Sequence, residues 1–305
     1  MPGEFAFIDW LRARTSASAR VLVGPGDDTA VIAPGSRSQL VTVDMLMDGT
    51  DFHLAEVGPR AAGRKAMAVN LSDIAAMAGI PTAAVASVAL PSGHGRRLAE
   101  QLYLGLRDVA DAFGVAIVGG DTNSWNHPLA ISVTVLGEAT ERGPVLRRGA
   151  KPGDWLFVTG PLGGSIRGKH LTVTPRVHEA LRLHEAADLH AMIDISDGLA
   201  ADLAHIFEES RCGAVLDAKA IPISADAAEL SLTSGKTPLQ HALGDGEDFE
   251  LLFAVSSADG ERVLRDQPVP GITLSKVGEC IDFGLWLETD GVRTKLDPVG
   301  WVHPL

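Results

Sequence analysis

Carboxylate side chains recur next to glycine, or next to one another, in six short segments of the chain. These segments are Gly26-Asp27-Asp28, Val43-Asp44, Asn70-Leu71-Ser72-Asp73, Gly119-Gly120-Asp121, Asp194-Ile195-Ser196-Asp197-Gly198 and Gly244-Asp245-Gly246-Glu247-Asp248. Several lie within apolar runs, where a carboxylate is costly unless its charge is compensated. Because most of these stretches contain no Lys or Arg, the expected compensating charge is a hard divalent cation such as Mg²⁺, which prefers oxygen ligands. The pattern indicates an enzyme that holds Mg²⁺ and a polyphosphate.

The overall composition argues against several other classes of protein. A formal net charge of −13 over 305 residues disfavours nucleic acid and anionic membranes as partners, since both need a basic surface. No apolar run approaches the ~20 residues of a membrane span, and the N-terminal residues lack the basic start of a signal peptide. Cys212 and Cys280 form no C-x-x-C motif, so neither a disulfide framework nor a thiolate metal site is expected. The cytoplasm is the expected location.

Strand and helix patterns alternate along the chain and predict the elements that position these carboxylates. In the first half we expect strands at 39–43, 83–90, 115–118 and 129–136, and helices at 59–78 and 95–113. In the second half we expect strands at 155–159, 192–195, 214–217 and 249–255, and helices at 176–189 and 198–210. The stretch 137–153, rich in Gly, Pro and Arg, marks a boundary. The sequence therefore predicts an α/β or α+β fold in two domains, 1–138 and 139–305.

Two carboxylates of the first half are set among apolar residues. Asp73 lies on the predicted helix 59–78, three residues after Asn70 and so on the same face, in a stretch that is apolar nearly all round. It either bonds to nearby backbone or to Lys65, or it serves a metal site, and its apolar setting favours the metal site. Asp44 closes the predicted strand 39–43, which is a frequent ligand position but equally a solvated strand end.

Two further segments combine a carboxylate with a turn. The glycine pair Gly119-Gly120 follows a predicted strand and would let a phosphate approach the backbone, with Asp121 holding the cation, unless the segment is a simple turn. Asp194 and Asp197 converge where a strand gives way to a helix, which makes a suitable Mg²⁺ seat. Ser196 or Asp197, taken alone, is better explained as a helix N-cap.

One segment nearly spells the P-loop motif of nucleotide-binding proteins. Gly163 and Gly168-Lys169 have the required spacing, but His170 follows instead of Ser or Thr. The next residues, 171–175, are β-branched and end in proline, so they make a poor start for the helix that a P-loop needs. We therefore predict a glycine loop near phosphate rather than a P-loop, with the basic residues Arg167, Lys169 and Arg176 facing the phosphate.

Taken together and in order, these segments resemble the thiamine-monophosphate kinase family. Its motifs appear as Gly26-Asp27-Asp28, Val43-Asp44, Asn70-Leu71-Ser72-Asp73-Ile74-Ala75-Ala76-Met77, Gly119-Gly120-Asp121-Thr122, Gly149-Ala150-Lys151-Pro152-Gly153-Asp154, Asp194-Ile195-Ser196-Asp197-Gly198 and Gly246-Glu247-Asp248-Phe249. The resemblance runs over almost the whole chain. It implies a two-domain fold like that of aminoimidazole ribonucleotide synthetase, in which the N-terminal α/β domain forms a homodimer through its sheet and ATP binds between domains and across the dimer.

The resemblance also implies roles for particular residues. The metal ligands would be Asp28, Asp44, Asp73, Asp121, Asp194 and Asp197, assisted by Thr42. ATP would contact Gly120, Asp121, Arg147 and Ser196. The substrate would contact Glu247 and the indole of Trp301. The family pattern places a substrate-binding His where this chain has Asp51, and His53 follows two residues later.

The implied reaction is phosphoryl transfer from ATP to thiamine monophosphate, which gives thiamine diphosphate and ADP. The attacking phosphate oxygen is already anionic at neutral pH, so no dedicated catalytic base is expected; several Mg²⁺ ions would neutralise and align the two polyanions. Two alternatives stay open. One is another ATP-using enzyme of the same superfamily, such as selenophosphate synthetase, which usually carries a reactive Cys near its N-terminus. The other is a non-catalytic module that binds Mg²⁺ or nucleotide.

Overall fold

The computed structural model describes residues 10–11, 13–14, 18–23, 31–32, 35–93 and 95–301. The chain divides into two compact units, Met1–Ile74 with Gly79–Gly143 and Ala75–Ala78 with Pro144–Leu305. We keep the sequence-based domain limits, 1–138 and 139–305, as a proposal beside this division. The segment Gly26-Asp27-Asp28, with the predicted ligand Asp28, lies outside the described residues. No helix in the described part of the chain combines the length and apolar character needed to cross a bilayer.

The first unit contains a four-stranded sheet, a small hairpin-like pair and two long helices. The strands are β1 (Val21–Val23), β2 (Val31–Ile32), β3 (Gln39–Met47), β4 (Ile80–Pro91), β5 (Ala116–Trp125) and β6 (Ala130–Glu138). Strands β1 and β2 pair with each other, and the four-stranded sheet has the order β3-β6-β4-β5, in which only β4 and β5 run parallel. Helix α1 (Leu54–Ala76) follows β3, and helix α2 (Gly95–Ala112) connects β4 to β5.

Helix α1 is interrupted near its start and packs closely against α2. Gly58 has φ 77° and ψ 161°, so the long helical part begins at Pro59, where the sequence places it. A Cβ on Gly63 would lie 2.1 Å from the carbonyl oxygen of Leu102 on α2, so only glycine permits this approach. The long buried helix carries the polar side chains Lys65 and Asn70 together with apolar ones.

The second unit is built on a seven-stranded sheet with the order β13-β12-β9-β11-β7-β10-β8. Its strands are β7 (Trp155–Thr159), β8 (Leu189–Asp194), β9 (Gly213–Asp217), β10 (Leu251–Val255), β11 (Leu274–Ile281), β12 (Leu285–Thr289) and β13 (Val292–Lys295). All neighbours are antiparallel except β9 and β12. Val158 of β7, Ile193 of β8 and Leu252 of β10 are fully buried in its core together with Leu203 and Ile206.

The helices of this unit are short. They are a 3₁₀ turn (Ser165–Arg167), α3 (Lys169–Thr172), α4 (Val177–Ala186), α5 (Leu199–Ser210), α6 (Ala225–Ser234), α7 (Pro238–Gly244) and α8 (Ser257–Asp266). Helices α6, α7 and α8 begin at the capping residues Ser224, Thr237 and Ser256, whose hydroxyls each accept a backbone N–H. No element after Val255, and neither α6 nor α7, was expected from the sequence.

The structure corrects several predicted boundaries. The predicted strand 39–43 continues to Met47, so Asp44 lies within a strand and not at its end. The predicted helix 176–189 stops at Ala186, because Leu189 already pairs with Val255 in the sheet. The predicted strand 249–255 begins only at Leu251, since Phe249 has a left-handed backbone with φ 50°.

Candidate functional site

Thr42 and Asp44 face helix α1 from the outer edge strand of the first sheet. Residues two apart on a strand share a face, and in β3 the face of Thr42 and Asp44 is the more buried one. The backbone N–H of Asp44 donates to the Asn70 side-chain oxygen at 3.0 Å, and the Asn70 amide nitrogen donates to the Ala66 carbonyl oxygen at 2.9 Å. One turn further along α1, Asp73 accepts a hydrogen bond from the Thr42 hydroxyl. Asn70 thus fixes the strand edge, and Asp73 meets Thr42 beside it.

The Asp44 carboxyl lies in an environment that opposes its negative charge. Burial raises the pKa of Asp44 to about 6, and the charges of Asp73 and Asp51 add to the effect. Among the described residues, no Lys or Arg side chain forms an ion pair with Asp44. The donor set here is two carboxylates and one hydroxyl, all oxygen, which suits Mg²⁺. A divalent cation would relieve the mutual repulsion, so these residues fit the predicted metal.

Asp51 is held by both its backbone and its side chain. Its carboxylate accepts the backbone N–H of Met47 at 2.6 Å, and its carbonyl oxygen accepts a hydrogen bond from the Lys65 ammonium at 2.6 Å. Lys65 is almost completely buried. From the sequence, Lys65 was expected only as a partner of Asp73; in the structure it anchors the loop that carries Asp51.

Asp121 lies on the opposite face of the sheet from Asp44. It stands directly across from Ser87, which pairs with Ser132, which pairs with Met45. Directly opposed residues point to the same face, so Asp121 shares the face of Met45 and not that of Asp44. Gly120 stands next to it in β5, and both residues are exposed. Within the first unit the structure therefore brings together Thr42, Asp44, Asp51 and Asp73, but not Asp121.

Four of the predicted residues of the second unit meet at the N-terminal end of helix α5. The Glu247 N–H donates to the carbonyl oxygen of Ser196 at 2.7 Å, and the Trp301 N–H donates to that of Asp197 at 2.9 Å. Gly300 permits this approach, since a Cβ there would lie 2.7 Å from the Asp197 carbonyl oxygen. Trp301 is 52% exposed, so its side chain is not part of the core. Ser196, Asp197, Glu247 and Trp301 thus form one corner, which we call the α5 corner.

A residue that the sequence analysis missed organises this corner. The Asp202 carboxylate accepts the backbone N–H groups of Asp197 and Gly198 at 3.0 and 3.1 Å. Neither Ser196 nor Asp197 is the N-cap; that position is Gly198, with φ 122° and no capping side chain. Burial raises the pKa of Asp202 to about 7, against the effect of its backbone hydrogen bonds. Asp197, Asp202 and His205 also bring their ligand atoms within 4.8 Å of one another, close enough to share a metal ion.

The remaining two predicted residues of the second unit lie outside this corner. Asp194 is buried at the end of β8, directly before the corner. The carbonyl oxygen of Arg147 accepts a hydrogen bond from Ser210 at the last residue of α5. Helix α5 has 12 residues, so its two ends are roughly 16 Å apart at 1.5 Å per residue. The backbone of Arg147 is therefore distant from Ser196, although both were predicted to contact ATP.

The glycine loop after β7 binds protein carboxylates. The N–H of Gly163 donates to Asp248 at 2.8 Å, and the N–H of Gly164 donates to Asp245 at 3.1 Å. Lys169 lies 3.0 Å from a Glu250 oxygen, and helix α3, which begins at Lys169, has only four residues. The rejection of a P-loop agrees with this geometry. The two amides thus bind carboxylates in this structure, and the expected position of the glycine loop near phosphate stays a prediction.

The basic residues expected to face phosphate are paired as well. Arg176 holds both oxygens of Glu250, with Nε and Nη2 each at 2.8 Å. Arg167 pairs with Glu229 at 2.6 Å and lies 3.6 Å from Asp226. Arg167, Lys169 and Arg176 each pair with a carboxylate in this structure, and their position facing phosphate stays a prediction.

Comparison with known proteins identifies the family. The family model described as AIR synthase related protein, N-terminal domain, matches residues 26–139, and the corresponding C-terminal domain matches residues 151–283. Thiamine-monophosphate kinase of Rhodopirellula baltica is 42% identical over 310 residues, which cover 98% of this chain and 97% of that protein. The chain belongs to the thiamine-monophosphate kinase family. The resemblance seen in its sequence motifs is thereby confirmed.

Solved structures agree with membership of the thiamine-monophosphate kinase family. The crystal structure of thiamine-monophosphate kinase from Stenotrophomonas maltophilia is 33% identical, with a TM-score of 0.83 and coverage of 95% of this chain and 97% of that one. A structure described as AaThiL complexed with AMPPCP and TMP is 30% identical, with a TM-score of 0.76 and coverage of 98% and 96%. Escherichia coli HypE, a hydrogenase maturation protein, shares the fold at 20% identity and a TM-score of 0.78. The predicted two-domain fold of the aminoimidazole ribonucleotide synthetase type is confirmed.

Proposed function

We propose that this chain transfers a phosphoryl group from ATP to thiamine monophosphate and forms thiamine diphosphate and ADP. The observation that carries the proposal is the match over nearly the full length to thiamine-monophosphate kinases, which includes a structure bound to AMPPCP and TMP. The Thr42–Asp44–Asp73 cluster supports it, because it gathers oxygen ligands of the type that phosphoryl transfer with Mg²⁺ requires.

The proposed metal site begins with the cluster in the first unit. Asp44 and Asp73 would hold Mg²⁺ with Thr42 beside them, and the further ligands proposed from the family resemblance are Asp28, Asp121, Asp194 and Asp197. When bound, the ions neutralise phosphate charge and align the reacting oxygens. Asn70 and the β3 edge keep the Asp44 backbone in place, so the chain presents its carboxylates in a fixed arrangement.

The proposed contacts with the two substrates come from separate parts of the chain. ATP would contact Gly120, Asp121, Arg147 and Ser196. Thiamine monophosphate would contact Asp51, Glu247 and Trp301. The attacking group is a phosphate oxygen that is already anionic, so orientation and charge neutralisation account for the chemistry without a dedicated base.

The proposal includes a homodimer formed through the first sheet. The face of β3 that points away from α1 exposes Val41, Val43 and Met45 to 65, 59 and 62%. Such a row on an edge strand is typical of a surface that a second subunit covers. Asp121 lies on the same face, so dimer formation would bring it close to the interface. The proposal also places the protein in the cytoplasm, in keeping with its two free thiols, Cys212 and Cys280.

The test is to incubate the protein with ATP, Mg²⁺ and thiamine monophosphate and to measure both ADP and thiamine diphosphate. Formation of both in equal amounts that stops on chelation supports the proposal. ADP without thiamine diphosphate indicates another enzyme of the superfamily, and the absence of both products indicates a binding module.

Analytical ultracentrifugation tests the proposed dimer. An active species at 32.0 kDa, the mass of one chain, would contradict it.

A further inference from the structure

Three acidic side chains between 245 and 250 are anchored to the protein interior. The glycine loop donates backbone N–H groups to Asp245 and Asp248, and the His241 ring approaches Asp245 at 2.6 Å. Glu250 is buried and accepts four hydrogen bonds: two from Arg176, one from Lys169 at 3.0 Å and one from Thr159 at 2.9 Å. The fourth acidic residue, Glu247, is partly exposed at the α5 corner.

The backbone between these anchors adopts an unusual conformation. Glu247 and Phe249 have φ 57° and 50°, in the left-handed region that non-glycine residues rarely adopt. Such strain persists only where the surroundings over-determine it. Here the Glu247 N–H bonds to the Ser196 carbonyl and the Phe249 N–H bonds to the Ile195 carbonyl at 2.8 Å, while the side chains of Asp248 and Glu250 are held by Gly163 and Arg176. Residues with anchored side chains thus alternate with residues in the left-handed conformation, and together they hold the Glu247 backbone beside Ser196.

Stability alone does not explain this group of charges. A buried ion pair is often no more stabilising than apolar side chains of similar volume, because desolvation offsets the attraction. Arg176 comes from the segment just before α4 and binds Glu250, the residue directly before β10, so the pair ties an irregular region to the entry of the strand that follows Glu247. A guanidinium that binds both oxygens of a carboxylate fixes the relative orientation of the two side chains, which apolar contacts do not.

We propose that Arg176 and Glu250 are positioning residues that hold the left-handed turn at Glu247 in place for recognition of thiamine monophosphate. The inference rests on the proposed function, since it assumes that Glu247 meets that substrate. It concerns the Glu247 turn alone and not ATP binding or the transfer step.

The decisive variant is the double substitution Arg176→Met with Glu250→Met. It removes both charges and keeps similar volume beside a cavity of about 170 Å³ lined by Lys169, Asp248 and Thr172. We expect the thermal midpoint to stay within about 4 °C of wild type. The KM for thiamine monophosphate should rise at least about tenfold, while the KM for ATP changes less than about twofold. The matched control is Arg293→Met, which breaks a surface pair with Glu288 and should leave both constants unchanged.

Hydrogen exchange of the amides of Glu247 and Phe249 gives a readout that is independent of activity. In the double variant these amides should exchange at least about tenfold faster than in wild type, with the rest of the sheet unchanged. A double variant with wild-type exchange, or one with faster exchange but an unchanged KM for thiamine monophosphate, would overturn the inference. If the double variant does not fold, the test uses Arg176→Lys instead. This variant keeps the positive charge but cannot form the two parallel hydrogen bonds to Glu250. A KM rise for thiamine monophosphate alone supports the inference, and unchanged or equally raised constants oppose it.

The same experiment separates this inference from the proposed function. If the wild-type protein makes no thiamine diphosphate, the proposed function fails, and the substrate-recognition part of the inference fails with it. The exchange data would still report whether Arg176 and Glu250 hold the Glu247 turn. If the wild type is active and the variants match it, only the inference fails.

Discussion

Two groups of carboxylates in this molecule, one partly buried and one buried, look alike in sequence and differ in what surrounds them. Asp44 and Asp73 in the first unit lie near further negative charge, and both burial and that charge raise the pKa of Asp44. Asp248 and Glu250 in the second unit lie next to Lys169, whose charge lowers the pKa of Asp248 against the larger effect of burial. The first group needs a charge that the described chain does not supply at Asp44, whereas the second group is paired internally.

This difference shows how to separate a metal site from a structural ion network. Absence of Lys or Arg in the neighbouring sequence is true of both groups and therefore does not discriminate between them. The spatial neighbours do discriminate, since Arg176 lies 74 residues from Glu250 along the chain and still binds it with two hydrogen bonds. The initial interpretation, that a divalent cation compensates these segments, is therefore wrong for Asp245 and Asp248, which pair with Lys236 and Lys169, and is retained for Asp44 and Asp73.

The largest expected effect is on catalysis, in the first group. Asp44→Asn should lower kcat at least about 100-fold, because losing a ligand for a catalytic cation costs several kcal/mol of transition-state stabilisation. Its stability without Mg²⁺ should equal or exceed that of wild type, since a carboxyl whose charge is opposed in the fold has been neutralised. Steady-state kinetics and denaturant unfolding with chelator measure the two effects. An active Asp44→Asn variant would exclude Asp44 from the metal site.

The opposite pattern is expected in the second group. Glu250→Gln removes the carboxylate that Arg176 and Lys169 share and should lower the free energy of unfolding by about 3 kcal/mol. This is the lower end for a broken buried pair, because both cations reach solvent and each keeps a second carboxylate, Glu179 or Asp248, within 3.6 Å. Glu288→Gln is the matched control, since Glu288 pairs with Arg293 at the surface and should cost less than about 1 kcal/mol. Urea unfolding of the two variants makes the comparison. Equal losses would mean that the Glu250 network is no more than a surface pair.

The order of the helices and strands up to Val255 could largely be predicted from the sequence, because their apolar residues recur with clear periodicity. The prediction put Asp44 at the end of a strand because the apolar run 40–43 stops there. In the structure β3 continues, with Met45 and Met47 exposed on its outer face. Pairing of Leu189 with Val255 overrode the helical pattern at 176–189 in the same way. Sheet pairing is a tertiary effect, so local periodicity does not report it.

The sequence motifs predicted which residues belong to the site, but not how those residues lie relative to one another. Sequence motifs brought Ser196, Glu247 and Trp301 into consideration, and the backbone contacts of the α5 corner bring them together. Asp202 was missed because it stands on an ordinary helical pattern, four residues after Gly198. The signal that could have found it is a carboxylate in the first turn of a helix, where it can accept free backbone N–H groups.

A smaller effect concerns pH and tests how far Lys169 compensates Asp248. Burial raises the pKa of Asp248 to about 7 from an ordinary value of 3.8. The folded protein therefore binds this proton more tightly than the unfolded chain does, and the free energy of unfolding should fall as the pH rises from about 4 to about 7. The free energy of unfolding of Asp248→Asn relative to wild type should rise by about 3 kcal/mol between pH 5 and pH 8.

The control for this prediction is Asp266→Asn, in which the replaced carboxylate is exposed and its pKa is lowered by Arg265. Its difference from wild type should not grow over this pH range. Unfolding at pH 5 and pH 8 in chelator provides the measurement. If the difference in free energy of unfolding between Asp248→Asn and wild type is the same at both pH values, Lys169 fully compensates the charge of Asp248. The contrast between this paired group and the uncompensated Asp44 would then be larger.

The smallest effect is expected at Trp301, which lies beside the paired region but takes no part in its ion pairs. Its backbone is fixed to Asp197 while its indole is half exposed, so it suits recognition of a ligand better than packing. A cationic thiazolium over an indole contributes about 0.5–2 kcal/mol. Trp301→Ala should therefore raise the KM for thiamine monophosphate about 2- to 30-fold and leave the KM for ATP nearly unchanged. Phe283→Ala is the control, because Phe283 is 77% exposed in the turn between β11 and β12 and has no proposed contact with substrate. If both KM values of Trp301→Ala match wild type, the substrate does not reach the α5 corner through this residue, and Glu247 would have to recognise thiamine monophosphate without it.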